Sequence, residues 1–148
     1  MSHDTTHQER AEVLGIYANA YNENRFDDLE KALHPEFKIY GAMGADGPLD
    51  RDAYRETAER LHAAFPDLEI GPNEGVSTVF QDNASGHRAR FTGTHTGSFF
   101  GIEPTENYVD IQWPWFARWK DGRIIEKWDC PDLFALLHQL GVVSNVIR

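Results

Sequence analysis

A hairpin followed by a helix is predicted by residues 117–141, ARWKDGRIIEKWDCPDLFALLHQLG. Its "KDG" turn joins two apolar segments, which predicts neighbouring antiparallel strands over 107–120 and 123–128. Leucines then recur at helical spacing over 131–140, and Gly141 is placed to end that helix. The stretch therefore predicts an antiparallel sheet that is closed by a C-terminal helix.

Upstream of this stretch, helices come first and strands follow. Predicted helices cover Gln8–Tyr21 and Phe26–Leu33, and a third predicted helix follows Asp50, its N-cap. Predicted strands cover Glu36–Gly41, Leu68–Phe80 and Ser85–Thr96. This order is typical of an α+β domain whose helices pack on one face of a curved, mainly antiparallel sheet. We expect a single domain over residues 1–148, with residues 1–8 as an N-terminal tail.

The overall charge argues against several classes of partner. The 148 residues carry a formal net charge of −10, and a surface this acidic repels nucleic acid and anionic membranes. No apolar run reaches the roughly 20 residues of a membrane span. Because the N-terminus is polar and Cys130 is the sole cysteine, we expect a cytoplasmic protein.

Established motifs for metal or cofactor chemistry are missing from the sequence. Its seven histidines form no HExxH or His-x-His pattern, and no phosphate loop or dinucleotide fingerprint is present. A nucleophile elbow is absent as well. We therefore expect no metal and no cofactor, which leaves acid–base chemistry or simple ligand binding.

Aromatic residues alternate along two predicted strands. Trp113 and Trp115 share one face of the first, and Phe91 and His95 share one face of the second. Rings in such positions either fill a core or line a ligand pocket. An inward histidine is either a satisfied core residue or a polar partner for a bound carbonyl. Pro114 predicts a sheet edge or a bulge between the two tryptophans.

Asp129 stands between the last predicted strand and the last helix. Local sequence favours a helix-capping role, because Pro131 follows it and Cys130 is a poor cap, although Asp132 is equally placed to cap. The alternative is a carboxylate that moves protons at the mouth of a cavity. The neighbouring charged residues are predicted to lie on the surface: Arg118, Glu126 and Lys127.

The whole chain resembles one family. "RFTGTHTGSFFGIEPTENYVDI" and "ARWKDGRIIEKWDCPDLFALLHQLG", together with "YNENRFDDLEKALHPEF" and "FPDLEI", are similar to the SnoaL-like polyketide cyclases, or ester cyclases, of the nuclear-transport-factor-two-like superfamily. The resemblance spans about Val13 to Val142. It implies a cone-shaped, cystatin-like α+β barrel that encloses a pocket and that is often a homodimer through its sheet.

The resemblance also implies an activity. Characterised members close a ring of an aromatic polyketide ester by intramolecular aldol condensation without a cofactor, and an aspartate at the end of the last strand is their general acid/base. Asp129 matches that aspartate, and His95 matches the histidine of a G-x-H-x-G element. Family positions for a glutamine and a histidine hold Trp113 and Trp115 here, and Ile39 stands where an asparagine is expected.

These observations predict a pocket poorer in hydrogen bonds than that of a polyketide cyclase. Asp129 is the predicted acid/base, His95 its polar partner, and Phe91, Trp113, Trp115 and Tyr40 the predicted wall. We expect a cofactor-independent cyclase or isomerase for a small hydrophobic carbonyl compound. The alternatives are a non-catalytic binding protein of the same fold, or a hydrolase or cofactor-free oxygenase of the superfamily.

Overall fold

Four helices and nine strands make up the described part of this computed structural model, residues 3–72 and 77–144. The helices are α1 (His3–Asn22), α2 (Leu29–Ala32), α3 (Arg51–Ala64) and α4 (Leu133–Gln139), with one 3-10 turn at Phe26–Asp28. The strands are β1 (Leu33–Tyr40), β2 (Leu49–Asp50), β3 (Glu69–Pro72), β4 (Thr78–Gln81), β5 (Ala84–His87), β6 (Ala89–Thr94), β7 (Tyr108–Gln112), β8 (Trp115–Lys120) and β9 (Arg123–Asp129). The predicted α+β class is confirmed.

The strands form two sheets, ordered β2-β1-β9-β8-β5-β4 and β3-β6-β7. All pairs are antiparallel except β1 with β9. The hairpin β8–β9 across "KDG" forms as predicted. A curled, mainly antiparallel sheet therefore surrounds the interior, as the family resemblance implied.

Three long strands predicted from the sequence are each divided between the two sheets. The segment 107–120 breaks at Trp113–Pro114 into β7 and β8, 85–96 breaks at Arg88 into β5 and β6, and 68–80 corresponds to β3 and β4. Pro114 has no amide hydrogen for a ladder, which explains the first break. The Trp113 N–H donates to the Ala89 carbonyl at 2.8 Å, so the two breaks lie side by side. This shared corner curls the sheet around the cavity.

The N-termini of α3 and α4 show which aspartates cap helices. Asp50 caps α3 as predicted, because its Oδ1 accepts the Ala53 N–H at 2.9 Å. Helix α4 begins at Leu133, two residues later than predicted, and its N-cap is Asp132, whose Oδ1 accepts the Ala135 N–H at 3.0 Å. Asp129 ends β9 and does not cap the helix.

The interior lies between the concave sheet and helices α1 and α3. Its largest fully buried apolar side chains are Leu29, Leu33, Phe37, Ile39, Phe65, Phe91, Val109, Ile124 and Leu136. Burial of apolar surface on this scale is the main favourable contribution to folding. Within residues 3–72 and 77–144, no helix has the length and apolar character needed to cross a membrane.

Candidate active site

A cavity of about 500 Å³ opens between α1, α3 and the curled sheet. Its wall is largely aromatic and aliphatic, and the aromatic rings are those of Tyr17, Tyr21, Tyr54, Phe91, Phe99, Phe100, Trp113 and Trp115. The volume is within the usual range of small-molecule sites. Lys127 and Asp129 also line the cavity and bring two opposite charges into this apolar space.

Lys127 and Asp129 form a buried ion pair. Lys127 Nζ lies 2.7 Å from Asp129 Oδ1, and the two side chains are only 3% and 6% exposed. The angles of this contact are not those of a hydrogen bond, so Oδ1 has no hydrogen-bond donor among the described residues. Each charge would be costly to bury alone, and the other offsets that cost.

A β-bulge in β9 explains why Lys127 points inward. Across the hairpin, Arg118 pairs with Glu126 but Trp119 pairs with Ile124, which leaves Ile125 without a partner. The extra residue reverses the alternation, so that Lys127 and Asp129 both face the cavity. The prediction that Lys127 lies on the surface was therefore wrong. Arg118 and Glu126 are partly exposed and pair with each other.

Three aromatic rings surround the Lys127 ammonium. Nζ lies 4.7 Å from the ring centre of Trp115, 5.2 Å from that of Tyr17 and 5.5 Å from that of Tyr54. Contacts of a cation with ring faces at these distances are attractive, and more so where water is excluded. The rings therefore hold the ammonium beside the carboxylate.

The tyrosines of the wall are joined through their hydroxyl groups. Tyr54 Oη lies 2.6 Å from Tyr17 Oη and 2.5 Å from Tyr21 Oη. Burial raises the pKa of Tyr17 far above its ordinary value, and the Asp129 carboxylate raises it further. Burial also raises the pKa of Tyr21 and of Tyr54, followed by the effect of the neighbouring tyrosines. All three hydroxyls therefore keep their hydrogens near neutral pH.

The neutral side chain of His87 packs against Trp115. The His87 ring stacks on Trp115 with 3.8 Å between centroids, and Ser85 Oγ lies 2.7 Å from His87 Nε2. Burial, and after it the positive charge of Lys127, lower the pKa of His87 to about 3. The Trp115 ring thus contacts both the Lys127 ammonium and the uncharged His87 imidazole that stacks on it.

Four of the residues predicted for the site line the cavity. Asp129 lies in its wall with Phe91, Trp113 and Trp115, and the Phe91 and Trp113 rings are 5.5 Å apart. These positions follow from the strand alternation that the sequence shows. Their roles in binding or catalysis stay predictions.

His95 and Tyr40 are not among the described residues that line the cavity. The His95 ring is fully buried beside Phe65, and its Nδ1 accepts the Thr105 N–H at 3.2 Å. Tyr40 stacks on Trp128, which is 37% exposed on the outer face of the sheet. Trp128 thus points away from the carboxylate beside it, because neighbouring residues of a strand face opposite sides.

Metal binding was not indicated by the sequence. Within 3–72 and 77–144, no group of three or more histidine, cysteine, aspartate or glutamate side chains is arranged to hold a metal ion.

Comparison with known proteins decides the family. The sequence model of the SnoaL-like polyketide cyclase family matches residues 11–140. The chain belongs to this family. Among curated proteins, none shows significant sequence similarity to it.

Solved structures share the fold of this SnoaL-like chain. TsrD from Streptomyces laurentii has a TM-score of 0.81 at 22% identity, with 92% of this chain and 97% of that chain covered. IdmH from Streptomyces antibioticus, a proposed polyketide cyclase, has a TM-score of 0.76 at 26% identity, with 90% and 99% covered. AclR from Streptomyces galilaeus, a proposed hydroxylase, has a TM-score of 0.81 at 26% identity, with 95% and 90% covered.

Sequence reasoning missed the SnoaL-like chain's lysine and its tyrosine cluster. The spacing of Tyr17 and Tyr21 on α1 placed them on an apolar helix face, where phenol rings are expected. Three tyrosines on the inward faces of two helices were the available signal. For Lys127 the available signal was its place two residues before Asp129 on one strand, which puts both side chains on the same face.

Proposed function

We propose that this protein is a cofactor-independent acid–base enzyme of the cyclase type, with Asp129 as the group that accepts and returns a proton. The observation that carries the proposal is the buried Lys127–Asp129 pair in a cavity with otherwise mostly apolar walls. Charged groups buried in a cleft mark a candidate functional site. The substrate is a small hydrophobic molecule with a carbonyl group, because aromatic rings dominate the wall.

The proposed chemistry begins at a carbon next to the carbonyl. The C–H bond breaks, its proton moves to the Asp129 carboxylate, and its electron pair moves to the carbonyl oxygen to give an enolate. In ring closure the enolate carbon attacks a second carbonyl carbon, and the new alkoxide receives the proton back from Asp129. In an isomerisation the proton returns to a different carbon. The Lys127 ammonium offsets the negative charge in both cases.

The comparisons support the cyclase class. The family is that of the SnoaL-like polyketide cyclases, and IdmH, at 26% identity, is a proposed polyketide cyclase. AclR, at the same identity, is a proposed hydroxylase, so the fold alone does not select one reaction. The choice of proton transfer rests on the carboxylate in the cavity.

A second candidate function is ligand binding without turnover. One observation favours it: the Lys127 ammonium already contacts the Asp129 carboxylate, so the oxygen that would accept a proton is engaged in an ion pair. Both candidates place the same hydrophobic molecule in the same cavity. They differ in whether a proton leaves the bound molecule.

Exchange of carbon-bound hydrogen in D₂O separates the two candidates. Proton NMR would follow deuterium uptake next to the carbonyl of 2-tetralone and of a naphthyl β-keto ester, two hydrophobic probes with acidic C–H groups. We expect the wild type to accelerate exchange and Asp129→Asn to lose about 100-fold or more of that acceleration. Tryptophan fluorescence would show that the variant still binds the probes.

Asp132→Asn is the matched control, because it removes a carboxylate three residues away and an asparagine can still cap α4. This variant should exchange hydrogen as fast as the wild type. Binding of the probes with no acceleration by the wild type would favour the second candidate and contradict the first.

We also propose a homodimer in which two copies meet through the outer face of the larger sheet. A row of cross-strand neighbours crosses this face, and its members are Tyr40, Trp128, Phe116, Gly86 and Val79. Phe116 is 53% and Val79 is 59% exposed. An exposed apolar row on a sheet is typical of a contact surface, and a second copy presents the same row.

A further inference from the structure

The wall of the cavity carries more positive than negative charge. Among the described residues that line the cavity, the charged ones are Arg60, Arg90, Lys127 and Asp129. Lys127 is paired with Asp129, and Arg90 is paired through two hydrogen bonds with Asp110, which is not part of the lining. Arg60 is therefore the one cation of this described wall whose charge no ion pair balances.

Helix α3 carries an acidic residue at the right spacing for Arg60, but the two do not pair. Glu56 stands four residues before Arg60, and this spacing and order favour an ion pair on a helix. On the same helix, Arg55 and Glu59 form such a pair at 2.8 Å. Arg60 is exposed and lines the cavity, and so its guanidinium group lies at the cavity mouth.

A serine hydroxyl lies at the same part of the mouth. The Gly97 N–H donates to the Ala64 carbonyl at 3.0 Å, one helical turn after Arg60. A Cβ atom at Gly97 would collide with the Ala63 carbonyl oxygen, so glycine is needed for this close approach to α3. Ser98 follows Gly97, is exposed and lines the cavity. Its hydroxyl adds a neutral donor beside the end of α3.

Arg60 is well separated from the buried ion pair. Lys127 Nζ lies 5.5 Å from the ring centre of Tyr54, which belongs to the first turn of α3. Arg60 comes six residues after Tyr54, and this spacing corresponds to a rise of about 9 Å along the helix axis. A ligand that fills the cavity therefore reaches the Lys127–Asp129 pair with one end and Arg60 with the other.

We propose that Arg60, with the Ser98 hydroxyl beside it, binds a carboxylate group of the ligand at the mouth of the cavity. The ligand is then a hydrophobic carbonyl compound that is also an acid, with the two groups at opposite ends. The carbonyl end rests on the proposed function, whereas the carboxylate end rests on the unpaired Arg60. A guanidinium group binds a carboxylate through two parallel hydrogen bonds, which give selectivity as well as affinity. No covalent bond forms or breaks in this contact.

The net charge of the chain makes the sign of the effect specific. With a formal charge of −10, the protein as a whole repels an anionic ligand. Without the Arg60 guanidinium, an acid should therefore bind no better than its uncharged ester. A preference for the acid needs a local cation that is free to bind it, and Lys127 already contacts Asp129.

Calorimetric titration of an acid and its ester tests the assignment. The probes are 6-acetyl-2-naphthoic acid, which is ionised near neutral pH, and its methyl ester, which has the same rings and the same acetyl carbonyl. We expect the wild type to bind the acid about tenfold more tightly than the ester. In Arg60→Gln this preference should disappear, while the ester should bind as it does to the wild type.

Arg123→Gln is the matched control, because it removes the same charge from an arginine that is not among the described residues lining the cavity. It should keep the tenfold preference for the acid. Arg60→Lys keeps the charge but not the pair of parallel donors, and it should keep part of the preference. Ser98→Ala should reduce the preference by a smaller factor than Arg60→Gln, and an unchanged preference would remove Ser98 from the assignment.

Three results would overturn the role of Arg60. They are equal acid preference in the wild type and Arg60→Gln, a wild type that binds the ester as tightly as the acid, and a wild type that binds neither probe. Because Arg60 is exposed, its replacement should leave the fold intact, and circular dichroism of the variant would show this.

The same acid separates this inference from the proposed function, because its acetyl group has exchangeable hydrogens next to the carbonyl. An acid preference that depends on Arg60, without hydrogen exchange in D₂O by the wild type, would leave the Arg60 assignment standing and contradict the proposed catalysis. Exchange that depends on Asp129, without a preference for the acid, would contradict only the Arg60 assignment.

Discussion

Lys127 and Asp129 occupy alternate positions of one strand, and their opposite charges meet 2.7 Å apart inside the cavity. Neither charge is solvated by bulk water, so each depends on the other for its stability in the folded protein. The pair therefore links the stability of the fold to the chemistry of the site.

Replacement of the lysine alone should destabilise the protein strongly. Lys127→Met leaves the Asp129 carboxylate without a counter-charge, and we expect the free energy of unfolding to fall by about 3–5 kcal/mol. Urea denaturation measures this change. Lys120→Met removes an exposed lysine from the neighbouring strand and should change the free energy by no more than about 0.5 kcal/mol.

The double variant Lys127→Met/Asp129→Leu should recover most of the lost stability. An apolar pair of similar volume removes the buried charge that the single variant leaves behind. If Lys127→Met were as stable as Lys120→Met, the ion pair would not have the energetic role that its burial implies.

Asp132, and not Asp129, should control the stability of α4. Asp132→Ala removes the side-chain oxygen that accepts the Ala135 N–H, and we expect a loss of about 1 kcal/mol in the free energy of unfolding. Asp132→Asn keeps a capping oxygen and should lie within a few tenths of the wild type. Equal stability of the alanine and asparagine variants would argue against this cap.

His87 should make the protein less stable in mild acid. Its pKa is lowered from 6.5 to about 3 in the folded protein by burial and then by Lys127, so the unfolded chain takes up a proton first as the pH falls. The stability that His87 contributes is therefore complete above pH 6.5 and is lost progressively towards pH 3. Between pH 6 and 5 we expect a loss of about 1 kcal/mol per pH unit from this residue alone.

Urea denaturation at a series of pH values checks this slope. In His87→Gln the slope between pH 6 and 5 should be smaller than in the wild type by that amount, because glutamine does not titrate. Ser85 and Thr78, the hydroxyl neighbours of His87, carry no charge and do not alter the sign. Parallel slopes for the two proteins would contradict the prediction.

An acidic residue in the apolar row should separate the proposed dimer. Light scattering should give the wild type a mass twice that of the 16.9 kDa chain, and Phe116→Glu should give the mass of one chain. Tyr108→Glu changes an exposed aromatic residue of β7, outside the row, and should leave the dimer intact. A wild type that is monomeric at micromolar concentration would contradict the proposal.

Much of the fold follows from local signals in the sequence. The "KDG" turn and the Asp50 cap are set by residues that are close together in the chain, and both form as predicted. The division of the long strands between two sheets was not predicted. It depends on a corner where Trp113 N–H meets the Ala89 carbonyl, two residues that are distant in sequence.

The site was predicted less completely for the same reason. Trp115 follows from strand alternation, whereas the inward direction of both Lys127 and Asp129 depends on one unpaired residue, Ile125. Tyr17 and Tyr54 belong to different helices, and only the folded chain brings their hydroxyls within 2.6 Å. Local sequence patterns do not show which residues of different helices or strands meet in the folded chain.

The central claim is that Asp129 transfers a proton inside the cavity, and one rate ratio tests it most directly. The measurement is hydrogen–deuterium exchange next to the carbonyl of saturating 2-tetralone, for the wild type and for folded Asp129→Asn that binds the probe equally. We predict a rate at least about 100-fold lower in the variant. Equal rates of catalysed exchange in the two proteins would contradict the account.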